Sequence, residues 1–140
     1  MQSINIEDIL PHRGTMLLLE KVTEVGDEYA VAEAVVRDSW PAVDNHGASP
    51  LVLVELAAQT AGVCNSLKRI KKEGNETSRK GWIVGVKRAQ FYVDDVIAFG
   101  SRLVIRSENS HEYDILREVS CVVHCDDMLL GEITLQLIQA

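Results

Sequence analysis

The chain predicts an α+β domain in which one antiparallel sheet of about six strands wraps around a single long central helix. Three observations lead there. Two apolar runs come first, then one long and almost wholly apolar helical segment, then four runs that read as strands. No further element is available as a second layer, so the helix has to cover the sheet. A helix that is apolar nearly all round must also be buried nearly all round. A curved sheet covers most of it and a second subunit covers the rest, so an oligomer is expected.

The elements follow in order. "MLLLEKVTEV" (16–25) and "EYAVAEAVV" (28–36) flank Gly26–Asp27, a strong turn signal, and read as a hairpin. Ala30, Ala32, Ala34 and Val36 share one face of the second run, where small residues let a helix lie close. After a loop, Ser49–Pro50 supplies a cap and first turn for the helix predicted over 50–72. "EGNETSR" (73–79) breaks the pattern as a solvent loop. Strands are expected at 81–93, 102–108, 113–124 and 128–138; in the last, Ile133, Leu135 and Leu137 alternate with Glu132, Thr134 and Gln136. Turn signals fall at Phe99–Gly100–Ser101, Asn109–Ser110 and Asp126–Asp127.

Bulk properties bound the function. The 140 residues are expected to form a single domain, with 46% hydrophobic and 25% charged residues, both ordinary globular values. A formal charge of −7 argues against nucleic-acid partners, which need clustered positive charge. The basic run Lys68, Arg69, Lys71 and Lys72 closes the helix, where cations complement its dipole; a docking patch is the alternative. No stretch approaches a membrane span, and "MQSINIEDIL" lacks the layout of a signal peptide. Three cysteines without framework spacing fit a reducing cytoplasm. In "CVVHC" (121–125) a strand puts Cys121 and Cys125 on one face and His124 on the other, so core cysteines are expected and no metal site.

The helix poses the chemical question. From Leu51 to Val63 it is nearly all Leu, Val and Ala, yet it carries Glu55, with Gln59 one turn on and on the same face. An unpaired buried carboxylate costs several kcal/mol, so such a residue persists when paired or when a site needs it. The preceding loop holds Asp44, Asn45, His46 and Gly47. Glu55 bonded to a loop backbone or an arginine is a structural reading, as is a surface or helix-start His46. Together, though, they place an imidazole at the helix mouth and an acid about one and a half turns inside, beside backbone N–H dipoles. Those are the parts for proton abstraction beside a carbonyl.

Three phrases carry a resemblance that spans most of the chain. "ILPHRGTMLLLEKV" (9–22), "LVLVELAAQTAG" (51–62) and "GVKRAQFYVDDVIAFGSRLVI" (85–105) resemble, in the same order, motifs of the hotdog-fold (3R)-hydroxyacyl-acyl carrier protein dehydratases of the FabZ/FabA type. The "PHRG-x-ML" opening is closer to the divergent ApeP-like predicted dehydratases linked to aryl polyene lipid synthesis. The resemblance implies a homodimer or higher homo-oligomer whose sites lie at the subunit interface, pairing a loop histidine of one subunit with the helix glutamate of the other. Glu55 and Gln59 match the helix positions. The family histidine falls on Pro41, and the glycine that polarises the thioester falls on Pro50, which has no N–H. Either His46 serves on a different loop path or the histidine chemistry is altered, and the oxyanion donor moves to Leu51. His12 and Arg13 match the opening; they anchor the N-terminal segment or contact the phosphopantetheine arm.

The implied function is dehydration of 3-hydroxyacyl thioesters on acyl carrier protein, with no cofactor. His46 and Glu55 are the expected catalytic pair, and Asn45, Gly47, Leu51, Gln59 and Arg13 the expected substrate contacts. Two alternatives remain on the same scaffold: a non-catalytic subunit that binds acyl carrier protein or acyl chains, and an acyl thioesterase.

Overall fold

The computed structural model describes residues 5–8, 10, 14–73 and 82–139. Its elements are β1 (Lys21–Val25), β2 (Tyr29–Val35), β3 (Gly47–Ala48), α1 (Val52–Glu73), β4 (Trp82–Phe91), β5 (Ile97–Ala98), β6 (Arg102–Tyr113), β7 (Leu116–Cys125) and β8 (Met128–Gln139). Six strands form one sheet in the order β1-β2-β6-β7-β8-β4, and every pair is antiparallel. The sheet wraps α1, which is the hotdog arrangement.

Side-chain period explains the wrapping. Ala30, Ala32 and Ala34 of β2 are completely buried, and the absence of bulk there lets α1 approach. Leu53 and Leu56 fill the space against Leu103, Ile105, Ile133, Leu135 and Leu137, all essentially inaccessible. Each such leucine contributes roughly 1.5–3 kcal/mol by burial. Ser107 Oγ donates to Ala57 O at 3.3 Å, tying β6 to the helix backbone. Cys121 is buried as a core residue, and its Sγ, 3.1 Å from Ser107 Oγ, is the alternative acceptor for that one hydroxyl proton.

Three departures from the sequence pattern have physical causes. The apolar run from Met16 becomes strand only at Lys21, because Met16 O and Leu18 N are spent on the Gln59 side chain, at 2.8 and 3.0 Å. Asn109–Ser110 is a bulge rather than a turn: the β6–β7 register shifts between Asn109 and His111, and the chain reverses at Asp114, with φ of 53°. Asn109 is held inward there by Asn65 and Glu28, each at 3.1 Å. The third is a small extra sheet, in which β3 pairs with β5. The Phe99–Gly100–Ser101 and Asp126–Asp127 turns stand as expected, with Gly100 at φ 84° and Asp126 at φ 53°. The polar segment at 74–79 lies outside the described residues.

Candidate active site

The site is built at the N-terminal end of α1. Ser49 caps the helix: its Oγ accepts from Leu51 N at 3.3 Å and its carbonyl from Val52 N at 3.0 Å. Pro50 occupies the first helical position, where its missing N–H removes nothing. The helix is not covered on every side. Leu51 is 65% exposed, and Val54, Glu55 and Ala58 are only half-buried. Spaced at i, i+3, i+4 and i+7, these four residues form one stripe facing away from the sheet. Glu55 is therefore the acid of an uncovered apolar stripe and is not sealed inside the core.

Gln59 fixes that acid. It is fully buried, and its Nε2 donates to Glu55 Oε1 at 2.9 Å and to Met16 O at 2.8 Å. Its Oε1 accepts from Leu18 N at 3.0 Å. The amide thus clamps the segment around Met16–Leu18 onto the helix while holding the carboxylate. Further along, a Cβ on Gly62 would stand 2.9 Å from Leu10 Cδ2, so that glycine makes room for the same N-terminal segment.

The histidine loop is ordered by Asp44. Its Oδ1 accepts from His46 N at 2.7 Å and Gly47 N at 3.0 Å, and these two donors hold its carboxyl below the ordinary value. Gly47 is buried, and a Cβ there would stand 2.1 Å from Ile97 O, so only glycine permits the β3–β5 pairing. Phe99 N donates to His46 O at 3.4 Å. The loop backbone is thereby pinned while the His46 side chain is exposed, as is Asn45. Next to β5 lies an apolar cavity of about 630 Å³, lined by Val93, Ile97, Cys125, Met128 and Leu130, with Asp126 and Asp127 at its edge.

Among the residues singled out from sequence, the structure joins Glu55 to Gln59 and puts Leu51 on the same stripe. It sets Asn45, His46 and Gly47 on one pinned loop. Arg13, like His12, lies outside the described residues. Sequence reasoning missed the parts Met16, Leu18 and Asp44 play in ordering the site. For Asp44 the signal was available, since Asp two and three residues before backbone donors is an Asx turn. For Met16 and Leu18, which act through main-chain groups, none was.

Among the described residues, no helix is long and apolar enough to cross a membrane. The 3-hydroxyacyl-[acyl-carrier-protein] dehydratase FabZ of Streptococcus uberis is 40% identical over 73 residues, covering 49% of this chain and 52% of that protein. FabZ of Acinetobacter baumannii is 27% identical over 135 residues, covering 88% and 89%. The chain spans about half the length of the first of these relatives. Among solved structures, the dehydratase heterocomplex ApeI:P from Xenorhabdus doucetiae superposes with a TM-score of 0.84 at 21% identity, over 99% of this chain and 93% of that one. The likeness corroborates the hotdog fold. A family model described as "ApeP-like: ApeP dehydratase" matches residues 4–140, and the chain belongs to the ApeP-like family.

Proposed function

We propose that this protein dehydrates 3-hydroxyacyl thioesters held on the phosphopantetheine arm of acyl carrier protein, giving trans-2-enoyl thioesters for fatty acid or aryl polyene type lipid synthesis. The observation that carries the reading is Glu55: an acid placed on an uncovered apolar stripe and held there by a buried amide. In the reaction His46 takes the α-proton, and the electron pair of that C–H bond becomes the new Cα=Cβ bond. The C–O bond at C3 breaks, and Glu55 delivers the proton that lets the hydroxyl leave as water. Negative charge developing on the thioester oxygen lies at the N-terminus of α1. There the Leu51 N–H, whose bond to Ser49 Oγ is long at 3.3 Å, is the donor that can turn to it. The acyl chain lies against apolar side chains, for which the cavity beside Ile97 offers room.

A two-chain site supports this reading better than a single chain does. The exposed His46 and the uncovered stripe of Glu55 each await a facing surface. At one edge of the sheet β4 pairs on one side with β8, and Val84 and Val86 are 41% and 51% exposed. Pairing of that edge with a second copy would continue the sheet and bring loop and stripe together across the seam; a different hotdog chain, as in the ApeI:P heterocomplex, is the other way to do so. The free thiols Cys64, Cys121 and Cys125 accord with work in the cytoplasm.

One observation favours a second reading. Pro41 stands where the FabZ/FabA histidine falls, and His46 points to solvent. A subunit that binds acyl carrier protein without catalysing would look like this. The test is hydration of 2-enoyl thioesters and dehydration of 3-hydroxyacyl thioesters by the purified protein, beside His46→Ala and Glu55→Ala. Turnover lost by a factor of about 100 or more in both variants supports dehydration. Tight carrier binding without turnover in the wild type supports the binding subunit, and release of free thiol a thioesterase.

A further inference from the structure

The cavity beside β5 has an apolar floor and a rim of one sign. Ile97 and Leu130 are buried at its base, next to Val93 and Cys125, and the exposed Met128 stands at its edge. Its volume of about 630 Å³ is that of a small-molecule site. Ala98 of β5 pairs with Gly47, and Phe99 N donates to His46 O, so the cleft lies beside the histidine loop of the same chain. Among the described lining residues every charged group is acidic: these are Asp126 and Asp127. Asp94 and Asp95 are exposed on the loop between the lining residues Val93 and Ile97. The lining hydroxyl, on Ser101, gives its proton to Ala98 O at 2.7 Å and keeps only lone pairs for a guest. Among the described lining side chains, nothing stronger than the Cys125 thiol is left to donate to an anion. Turn geometry does not call for the charges. Asp126 and Asp127 lie between the paired Cys125 and Met128, with Asp126 at φ 53°, a conformation that Asn adopts as readily.

We propose that this cleft takes the far end of the acyl chain and selects it by charge: uncharged and cationic ends enter, and a chain ending in a carboxylate is turned away. The inference rests on the dehydratase reading, in which the thioester is held near His46, and it narrows the substrate class which that reading allows. Two effects combine. Methylene groups leave water for Ile97, Leu130 and Met128, which favours any alkyl chain. A terminal anion then meets like charges with no strong donor to offset them, whereas an ammonium meets the same carboxylates as partners. Because the acidic rim is exposed, each charge alters affinity only a few-fold, and salt weakens the effect.

Three 3-hydroxyacyl thioesters of equal length, ending in methyl, ammonium or carboxylate, test it. At low ionic strength kcat/KM is expected to be about tenfold higher for the ammonium-ended than for the carboxylate-ended substrate, with the methyl-ended one also above the carboxylate. Salt at about 0.5 M should shrink the ratio of the two charged substrates to about twofold. The double variant Asp126→Asn, Asp127→Asn keeps residues suited to the turn and should lower that ratio by about threefold or more. Asp114→Asn removes a charge from the turn at the other end of β7, where φ is also 53°, and should leave the ratio as it is. Equal use of the two charged substrates by the wild type overturns the proposal. So does a ratio insensitive to salt, or one that the double variant and Asp114→Asn change alike. A second readout needs no turnover. In nuclear magnetic resonance spectra a long-chain primary amine should shift the Met128 methyl signal, assigned with Met128→Leu, and bind about tenfold more tightly than the carboxylate of the same length. Equal binding of the two, or binding that leaves the Met128 signal in place, overturns the proposal as well. A wild type that turns over no hydroxyacyl thioester defeats the dehydratase reading alone, and amine against carboxylate at Met128 still decides whether the cleft selects by charge.

Discussion

The two ends of α1 both carry polar side chains into an apolar fold, and they treat them differently. Near the C-terminal end, Asn65 is completely buried and exchanges reciprocal amide bonds of 3.1 Å with Asn109. Its Oδ1 also accepts from Arg117 Nη1 at 2.7 Å, while Arg117 Nη2 pairs with Glu112 at 3.1 Å. Lys68 bonds Glu28 and holds its carboxyl below the ordinary range, so one cation of the helix's C-terminal half serves a neighbouring acid. Among the described residues these groups satisfy one another across α1, β6 and β7. At the N-terminal end the amide of Gln59 is saturated in the same manner, but the acid it grips stands on the stripe the sheet leaves open. Closed polar networks specify a packing, whereas under the proposed function the ordered acid on the open stripe is the one that meets a substrate.

Breaking the closed end should cost the most stability. Asn65→Leu removes the acceptor of Arg117 and both amide bonds to Asn109. A loss of about 3 kcal/mol in chemical denaturation is expected, with the turnover of folded protein retained. Gly47→Ala comes next, at about 2 kcal/mol, because its methyl would meet Ile97 O at 2.1 Å. Parting β3 from β5 moves the His46 loop, so here activity should fall further than stability, and comparing kcat with the melting temperature checks it.

The smallest effect is set by pH. Asp44 is held below its ordinary value of 3.8 by the N–H groups of His46 and Gly47. A depressed carboxyl contributes stability that is fully present above the ordinary value and is lost as pH falls through the lowered one. The protection factors of the His46 and Gly47 amides, corrected for the intrinsic pH dependence of exchange, should therefore fall below about pH 4 before those of the sheet amides respond, and Asp44→Asn should remove that step. Thiol labelling extends the comparison to the cysteines. Burial pushes Cys64 up to about 11 and Cys121 up to about 12, so Cys125, which lines the cavity, should react first with a maleimide at neutral pH.

Period and composition made most of the fold legible. Alternation at Ile133, Leu135 and Leu137, the alanine face of β2 and the apolar helix all read directly, because each is a repeated local pattern facing one core. What escaped was either too short to repeat or decided from far away. β3 and β5 have two residues each and no period to detect. Asn109–Ser110 has the composition of a turn, but Asn65, 44 positions earlier, holds it in a continuing strand. The candidate site divides likewise. Glu55 stood out because an acid interrupts an apolar run, and Gln59 because it shares that face. Their coupling to Met16 and Leu18 runs through main-chain groups 43 and 41 positions away, which no side-chain pattern announces.

The central claim is that Glu55 is held on the open stripe to move a proton and adds little to the fold. Glu55→Gln tests it most directly, since the substituted amide keeps an oxygen for Gln59 Nε2 while losing the acid. Turnover of a 3-hydroxyacyl thioester and the free energy of unfolding should be measured on the same preparation. The account predicts turnover lower by about 1,000-fold and stability within about 0.5 kcal/mol of the wild type. Undiminished turnover, or a stability loss matching that of Asn65→Leu, would contradict it.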